Sequence, residues 1–142
     1  MAKQVPKNIK TTIILGAGFK NEDGLQKFDS IQIERNVQDM ASMLVNHDAV
    51  FCSGGVTLHE AMCVGTPAFV ISQAPHQEDK AKMAEKAGAG INLGQAKSWD
   101  ENRLPEIFKL GRKNLHDMSM AGKNCINGKG LIKVVKAILT IC

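Results

Sequence analysis

The stretch Ala49-Val50-Phe51-Cys52-Ser53-Gly54-Gly55-Val56-Thr57-Leu58-His59-Glu60, continued by Ala61-Met62-Cys63-Val64-Gly65-Thr66-Pro67-Ala68-Phe69-Val70-Ile71, decides the fold. Ala49 to Cys52 is a short apolar run closed by Ser53-Gly54-Gly55, which reads as a strand ending in a turn. Thr57-Leu58-His59-Glu60 fits the T-x-x-E capping box, in which the threonine caps a helix start and the glutamate reaches back to the threonine N–H. The helix continues through Ala61-Met62-Cys63-Val64 to Gly65, and Pro67 bars any further turn. Ala68 to Ile71 is then a second buried strand. Strand, helix and strand joined by short glycine-containing turns call for a parallel pair.

The same alternation extends in both directions. Downstream, Gln77 to Ala87 is a lysine-rich amphipathic helix closed by Gly88, and Ala89 to Leu93 is a short strand. Upstream, Val37, Met40, Ala41, Leu44 and Val45 recur at the spacing of one helix face, preceded by the alternating Ile31-Gln32-Ile33. A further polar stretch, Asn21 to Ser30, has room for a short helix. Thr11-Thr12-Ile13-Ile14-Leu15, ended by Gly16-Ala17-Gly18, reads as a first strand. The tail from Leu104 to Leu115 and from Leu131 to Leu139 reads as helix, with apolar residues at 131, 134, 135 and 138. The fold class is α/β: about five parallel strands in a Rossmann-like sheet, helices on both faces, residues 1–142 forming a single domain.

Composition narrows the function classes. The chain has 142 residues, 44% apolar and 23% charged, close to globular averages, so disorder and coiled coil are excluded. Its apolar runs are far too short to span a membrane, and Met1 to Lys10 has no apolar signal core, so a cytoplasmic location is expected. The 18 basic residues outnumber the 14 acidic ones but form no block, and one Trp, five Phe and no Tyr leave few stacking rings, so nucleic acid is not an expected partner. Cys52, Cys63, Cys125 and Cys142 form no C-x-x-C pair and sit among apolar neighbours, as reduced, buried thiols do; neither zinc nor another cofactor is expected.

In an open parallel sheet, ligands bind beyond the carboxyl ends of the strands. There, Gly54 and Gly55 let the backbone approach a ligand, and the following helix turns free N–H groups and its positive end toward that point, an arrangement able to hold a diphosphate. Two glycines also simply make a tight turn. Glu60 is equally two-sided: its carboxylate can accept two ribose hydroxyls or serve the capping box. The segment Ser72-Gln73-Ala74-Pro75-His76-Gln77-Glu78-Asp79-Lys80 offers an imidazole, amides and a lysine beside another helix start, or is a solvated helix entrance. His47, His59 and His116 carry no assignable chemistry. No Ser-His-Asp order, Cys-His pair or H-E-x-x-H spacing is present, and Gly16-Ala17-Gly18 lacks the third glycine of a dinucleotide fingerprint, so the catalytic residues are unknown.

Ser53-Gly54-Gly55-Val56-Thr57-Leu58-His59-Glu60-Ala61-Met62, Gly65-Thr66-Pro67-Ala68, His76-Gln77 and Gly88-Ala89-Gly90 together resemble the carboxy-terminal half of GT-B nucleotide-sugar enzymes. Val37-Gln38-Asp39-Met40 and Asn127-Gly128-Lys129-Gly130 add a likeness to UDP-sugar hydrolases of the pseudaminic-acid pathway and to spore-coat polysaccharide proteins; the lipid II N-acetylglucosaminyltransferase is a more distant relative. The resemblance implies a site for UDP or a UDP-sugar. Ser53, Gly54, Gly55, Val56 and Thr57 would face the diphosphate, Glu60 the ribose hydroxyls, and His76, Gln77 and Lys80 the sugar or phosphates, although Lys80 stands where some relatives carry asparagine.

In these enzymes the catalytic base or acceptor site lies largely in an amino-terminal half that this chain has no residues to build. Ile13 to Asn21 matches the family's second strand, so the first strand and its helix are missing from the match. The expected function is therefore UDP-sugar binding within a glycosyltransferase or UDP-sugar hydrolase of surface-polysaccharide or nonulosonic-acid biosynthesis, inactive without an amino-terminal half. The alternative is a non-catalytic interaction subunit or remnant without nucleotide binding. Because the family's missing strand is central, the strands at Thr11 and Ala49 are expected to have open edges and the isolated chain to form a homodimer.

Overall fold

The structure is a computed structural model that describes Val5, Pro6, residues 8–19 and residues 31–141. The short helix expected between Asn21 and Ser30 lies outside the described residues. Five strands are described: β1 (Thr11–Leu15), β2 (Ile31–Arg35), β3 (Val50–Cys52), β4 (Ala68–Ser72) and β5 (Gly90–Gln95). The helices are α1 (Met40–Val45), α2 (Val56–Val64), α3 (Pro75–Lys86), α4 (Leu104–Ile107), α5 (Arg112–Cys125) and α6 (Gly130–Ile141), with a 3-10 turn at Glu101–Arg103. Every strand pair among the described residues is parallel, and strands alternate with helices from β2 to α3 and on to β5, so the chain has the expected Rossmann-like α/β architecture.

The strands form two ladders, β1-β2 and β3-β4-β5. The strand that the family resemblance puts between β1 and β3 is not among the described residues. The chain divides into two compact units, Met1–Met40 with Asp100–Leu110, and Ala41–Trp99 with Gly111–Cys142. In the first unit β1 and β2 pair in register from Thr11↔Ile31 to Leu15↔Arg35, and Leu15, Leu104 and Ile107 are buried.

The second unit is built around β4. Successive residues of a strand point to opposite faces, and Ala68, Phe69 and Val70 are all buried, so both faces of β4 are covered. Two helices pack against it. Leu58, Ala61 and Met62 bury one face of α2, and Ala81 and Ala84, both 0% exposed, let α3 approach closely. Phe51 and Phe69, register partners on β3 and β4, stack with ring centroids 5.1 Å apart. Behind α2 lies α5, held close by Gly122: a Cβ there would stand 2.9 Å from the Met62 carbonyl oxygen.

Several expected boundaries shift. Only Met40–Val45 of the segment expected from Val37 is helical, and Val45 is exposed. The helix expected over Leu104 to Leu115 is broken between Phe108 and Gly111. Gly111 caps α5 in an extended conformation and its N–H donates to Asn114 Oδ1 (3.2 Å), so a new helix starts there. Of the four cysteines expected to be buried, Cys52 and Cys63 are half-buried, Cys125 is exposed because it ends α5 on the solvent side, and Cys142 lies outside the described residues.

Candidate functional site

The loop at the carboxyl end of β3 turns at Gly54 and Gly55 into α2. Gly54 is buried, and a Cβ on it would run into the Gln77 carbonyl, with the Gln77 C and Cβ atoms at 2.9 Å. Glycine is therefore required here by close approach: it seats the turn directly against the first turn of α3. Gly55 has no such constraint, its nearest neighbour being the Ser53 Oγ at 3.7 Å.

The capping box does not form. Gly55, with φ −93° and ψ −152°, is the N-cap and no side chain caps the helix, so Val56 is its first residue and Thr57 its second. Glycine is an acceptable N-cap, and a start at this point brings Leu58, Ala61 and Met62 onto the buried face. The consequence reaches the chemistry. Ser53, Thr57 and Glu60 are half-buried and make no side-chain hydrogen bond or ion pair among the described residues. Val56 is 73% exposed at the mouth of the turn. His59 sits on the other side of the same turn, its Nδ1 3.2 Å from the Gly55 carbonyl oxygen. The first N–H groups of α2 are unbonded within the helix by geometry, and its positive end lies at the same point.

The second helix start is different. Pro75 occupies the first position of α3, where its fixed φ suits the helix and its missing N–H costs nothing, so His76, Gln77 and Lys80 lie on the helix rather than on a preceding loop. The Gln77 Oε1 accepts from the Gln73 N–H at 2.8 Å. Glu78 accepts from the Gln95 Nε2 at 2.6 Å and pairs with Lys82 at 3.2 Å, tying α3 to the end of β5. The Gln95 hydrogen bond, followed by Lys82, holds the Glu78 carboxyl below its ordinary value. His76 is exposed and Lys80 half-buried, neither with a side-chain partner among the described residues.

Of the nine site residues expected from sequence, the structure brings Ser53, Gly54, Gly55, Val56, Thr57 and Glu60 to one strand-to-helix turn and seats Gln77 against it; His76 flanks Gln77 and Lys80 lies one turn on. Burial pushes the Cys52 thiol, next to Ser53, up to about 12, which keeps it protonated at neutral pH. Among the described residues no group of three or more His, Cys, Asp or Glu side chains could hold a metal ion.

Two features escape the sequence reading. Ser72, which ends β4, is fully buried with its Oγ unpartnered, and a register shift between Val70 and Ser72 accompanies it. In the first unit, a hollow of about 170 Å³ opens at the carboxyl ends of β1 and β2, lined by Leu15, Gly16, Ala17, Phe19, Arg35 and Asn36. Asn36 has φ 52°, the left-handed region that asparagine tolerates better than most residues. Parallel strands ending together were the signal for this hollow; the missing third glycine of Gly16-Ala17-Gly18 bears only on one kind of ligand.

The chain is similar to known proteins in both sequence and shape. It is 29% identical over 146 residues to the spore coat polysaccharide biosynthesis protein SpsG of Bacillus subtilis (strain 168), across 94% of this chain and 42% of that protein. It is 37% identical over 94 residues to the UDP-N-acetylglucosamine--N-acetylmuramyl-(pentapeptide) pyrophosphoryl-undecaprenol N-acetylglucosamine transferase of Clostridioides difficile (strain 630), across 61% of this chain and 23% of the enzyme. A crystal structure of Acinetobacter baumannii MurG superposes with a TM-score of 0.67 at 21% identity, over 79% of this chain and 35% of that one, a likeness of fold. No protein-family model matches. The chain spans less than half the length of these relatives. It is glycosyltransferase-like in sequence and Rossmann-like in fold.

Proposed function

We propose that residues 1–142 act as one nucleotide-sugar-binding domain that takes UDP or a UDP-sugar, in a cytoplasmic glycosyltransferase or UDP-sugar hydrolase of surface-polysaccharide or nonulosonic-acid biosynthesis. The observation that carries this reading is the start of α2: a glycine turn with free helix N–H groups, no capping side chain, and Glu60 uncommitted to any partner among the described residues. The diphosphate sits at Ser53 to Thr57, against the N–H groups and positive end of α2. Glu60 accepts the ribose hydroxyls. Gln77, pressed against Gly54, and the neighbouring His76 and Lys80 face the sugar or phosphates.

Mechanistically, the turn stabilises the charge that develops on the departing diphosphate as the anomeric carbon is attacked. The attacking water or acceptor hydroxyl is activated by an amino-terminal half, in keeping with relatives more than twice as long as this chain. Without that half the chain binds and does not turn over, and it associates with a second copy.

A titration tests the reading. The amide signals of Gly54, Gly55 and Glu60 are expected to shift on addition of UDP or UDP-N-acetylglucosamine at millimolar concentration. Amides that stay in place would replace it with an interaction subunit that has lost nucleotide binding.

A further inference from the structure

The helix α3 sorts its charges by side. Gln77, Ala81 and Ala84 make its inward stripe, the two alanines fully buried. At about 100° per residue, Glu78 and Glu85 fall on one margin of that stripe and His76 and Lys80 on the other. The acidic margin is committed to β5: the Glu78 Oε2 accepts from the Gln95 Nε2 at 2.6 Å, and the Glu85 Oε1 accepts from the Asn92 N–H at 3.0 Å. Because β5 lies at one end of the β3-β4-β5 ladder, the basic margin faces the side of β3 and its glycine turn, where the Gln77 carbonyl already meets Gly54. Asp79 lies about 100° round the helix from Lys80, outward and exposed.

This margin donates hydrogen bonds and has little to accept them with. The Gln77 Oε1 is taken by the Gln73 N–H at 2.8 Å, so the free end of that amide is its Nε2, a donor. Lys80 carries only donors, and its half-buried ammonium has no carboxylate partner among the described residues. The hydroxyls of a neutral sugar both give and accept, whereas an ammonium drawn out of water is costly unless an opposite charge meets it. The diphosphate does not supply that charge, since the start of α2 receives it. Resting on the reading that a UDP-sugar occupies the turn from Ser53 to Glu60, we infer that its sugar carries a carboxylate, as a uronic acid does, and that the Lys80 ammonium and the Gln77 Nε2 receive the two carboxylate oxygens. Lys80 then selects an ionised sugar over a neutral one, and Gln77 aligns it with the nucleotide, because the same residue touches Gly54.

The test is calorimetric titration of the full chain with UDP, UDP-glucose and UDP-glucuronic acid, the two sugars differing only in a hydroxymethyl group against a carboxylate. UDP-glucuronic acid is expected to bind about tenfold more tightly than UDP-glucose, the scale of one hydrogen bond to a charged group. Lys80→Gln is expected to level the two sugars, and Lys80→Arg, which keeps the charge, to retain the preference. Equal affinity of the wild-type chain for the two sugars, with UDP itself bound, overturns the carboxylate and leaves the nucleotide site standing. A Lys80→Gln chain that loses affinity for both sugars in equal measure puts the lysine on the diphosphate and likewise overturns the inference. Absence of UDP binding removes the nucleotide site and the inference with it.

Discussion

The two helix starts of the second unit are built from similar residues and use them in opposite ways. At α3, two of the polar side chains are consumed by the fold, Gln77 accepting from the Gln73 N–H and Glu78 joining Gln95 and Lys82, while His76 and Lys80 keep no partner among the described residues. At α2, Ser53, Thr57 and Glu60 are left without partners among the described residues, and only backbone shapes the turn. A fold that spends hydrogen bonds at one helix start and withholds them at its neighbour sets a braced turn beside one with polar groups to spare. Gly54 joins the two, since its missing side chain lets one rest on the backbone of the other.

The largest effect is expected where the two meet. Gly54→Ala puts a methyl group into the Gln77 backbone, which cannot rotate away as a side chain could, and should cost about 3 kcal/mol of stability and lower the melting temperature by about 10 °C. Gly55→Ala, with open space and an ordinary φ, should cost less than about 1 kcal/mol, the loss of a better N-cap. Equal losses in thermal denaturation would show that the close contact does not matter. Next, Glu60→Gln should weaken UDP binding by about 2 kcal/mol, roughly 30-fold in calorimetry, because hydrogen bonds to a charged acceptor are the strong ones. Its melting temperature should stay within about 2 °C of wild type, since the carboxylate holds nothing in the fold. A large drop in stability would move Glu60 to the braced side.

A smaller effect, of opposite sign, is expected at the end of the strand that leads into α3. Ser72→Ala removes a buried hydroxyl with no partner and should stabilise the chain by about 1 kcal/mol, read from urea unfolding. Destabilisation would mean that the hydroxyl is bonded. The smallest effect concerns pH. Because the folded-state value of Glu78 is depressed, its contribution is present above the ordinary carboxylate value of 4.5 and is lost as pH falls through the lowered folded value. Glu78→Gln should therefore flatten the acid side of the stability profile slightly, by lowering the plateau above the ordinary carboxylate value while the strongly acid end stays unchanged. An unchanged acid limb would show that the Gln95 and Lys82 contacts are inconsequential in solution.

The sequence made the strands more legible than the helix starts. Thr11 to Leu15 appears at its expected bounds because five apolar or β-branched residues between turn signals admit few alternatives. The starts of α2 and α3 each depend on a tertiary contact. Thr57 and Glu60 have the spacing of a capping box, but burial of Leu58 and Met62 favours a start at Gly55, and no local pattern reveals this. The contact of Gln77 with Gly54 joins residues from different strand-helix units and was invisible for the same reason. The locations of Ser53 to Glu60 were legible because Gly-Gly after an apolar run signals a strand-to-helix turn; that Glu60 stands free was not. Helix α5 is not legible beyond Leu115 because its apolar face is thin and its close contact is made by a glycine, Gly122, which periodicity does not count.

The order of pairing in the second unit also shapes how the chain reaches its fold. Val50 meets Ala68 and Ala68 meets Gly90, so β3, α2, β4, α3 and β5 assemble by consecutive short closures of the chain, each with a small loop-entropy cost. The contact of Gly122 with Met62 is of another kind, closing a loop that contains most of that assembly. Loop-closure entropy therefore predicts that the α/β core forms early and α5 latches on late, so a substitution at Gly122 is expected to change the unfolding rate more than the folding rate.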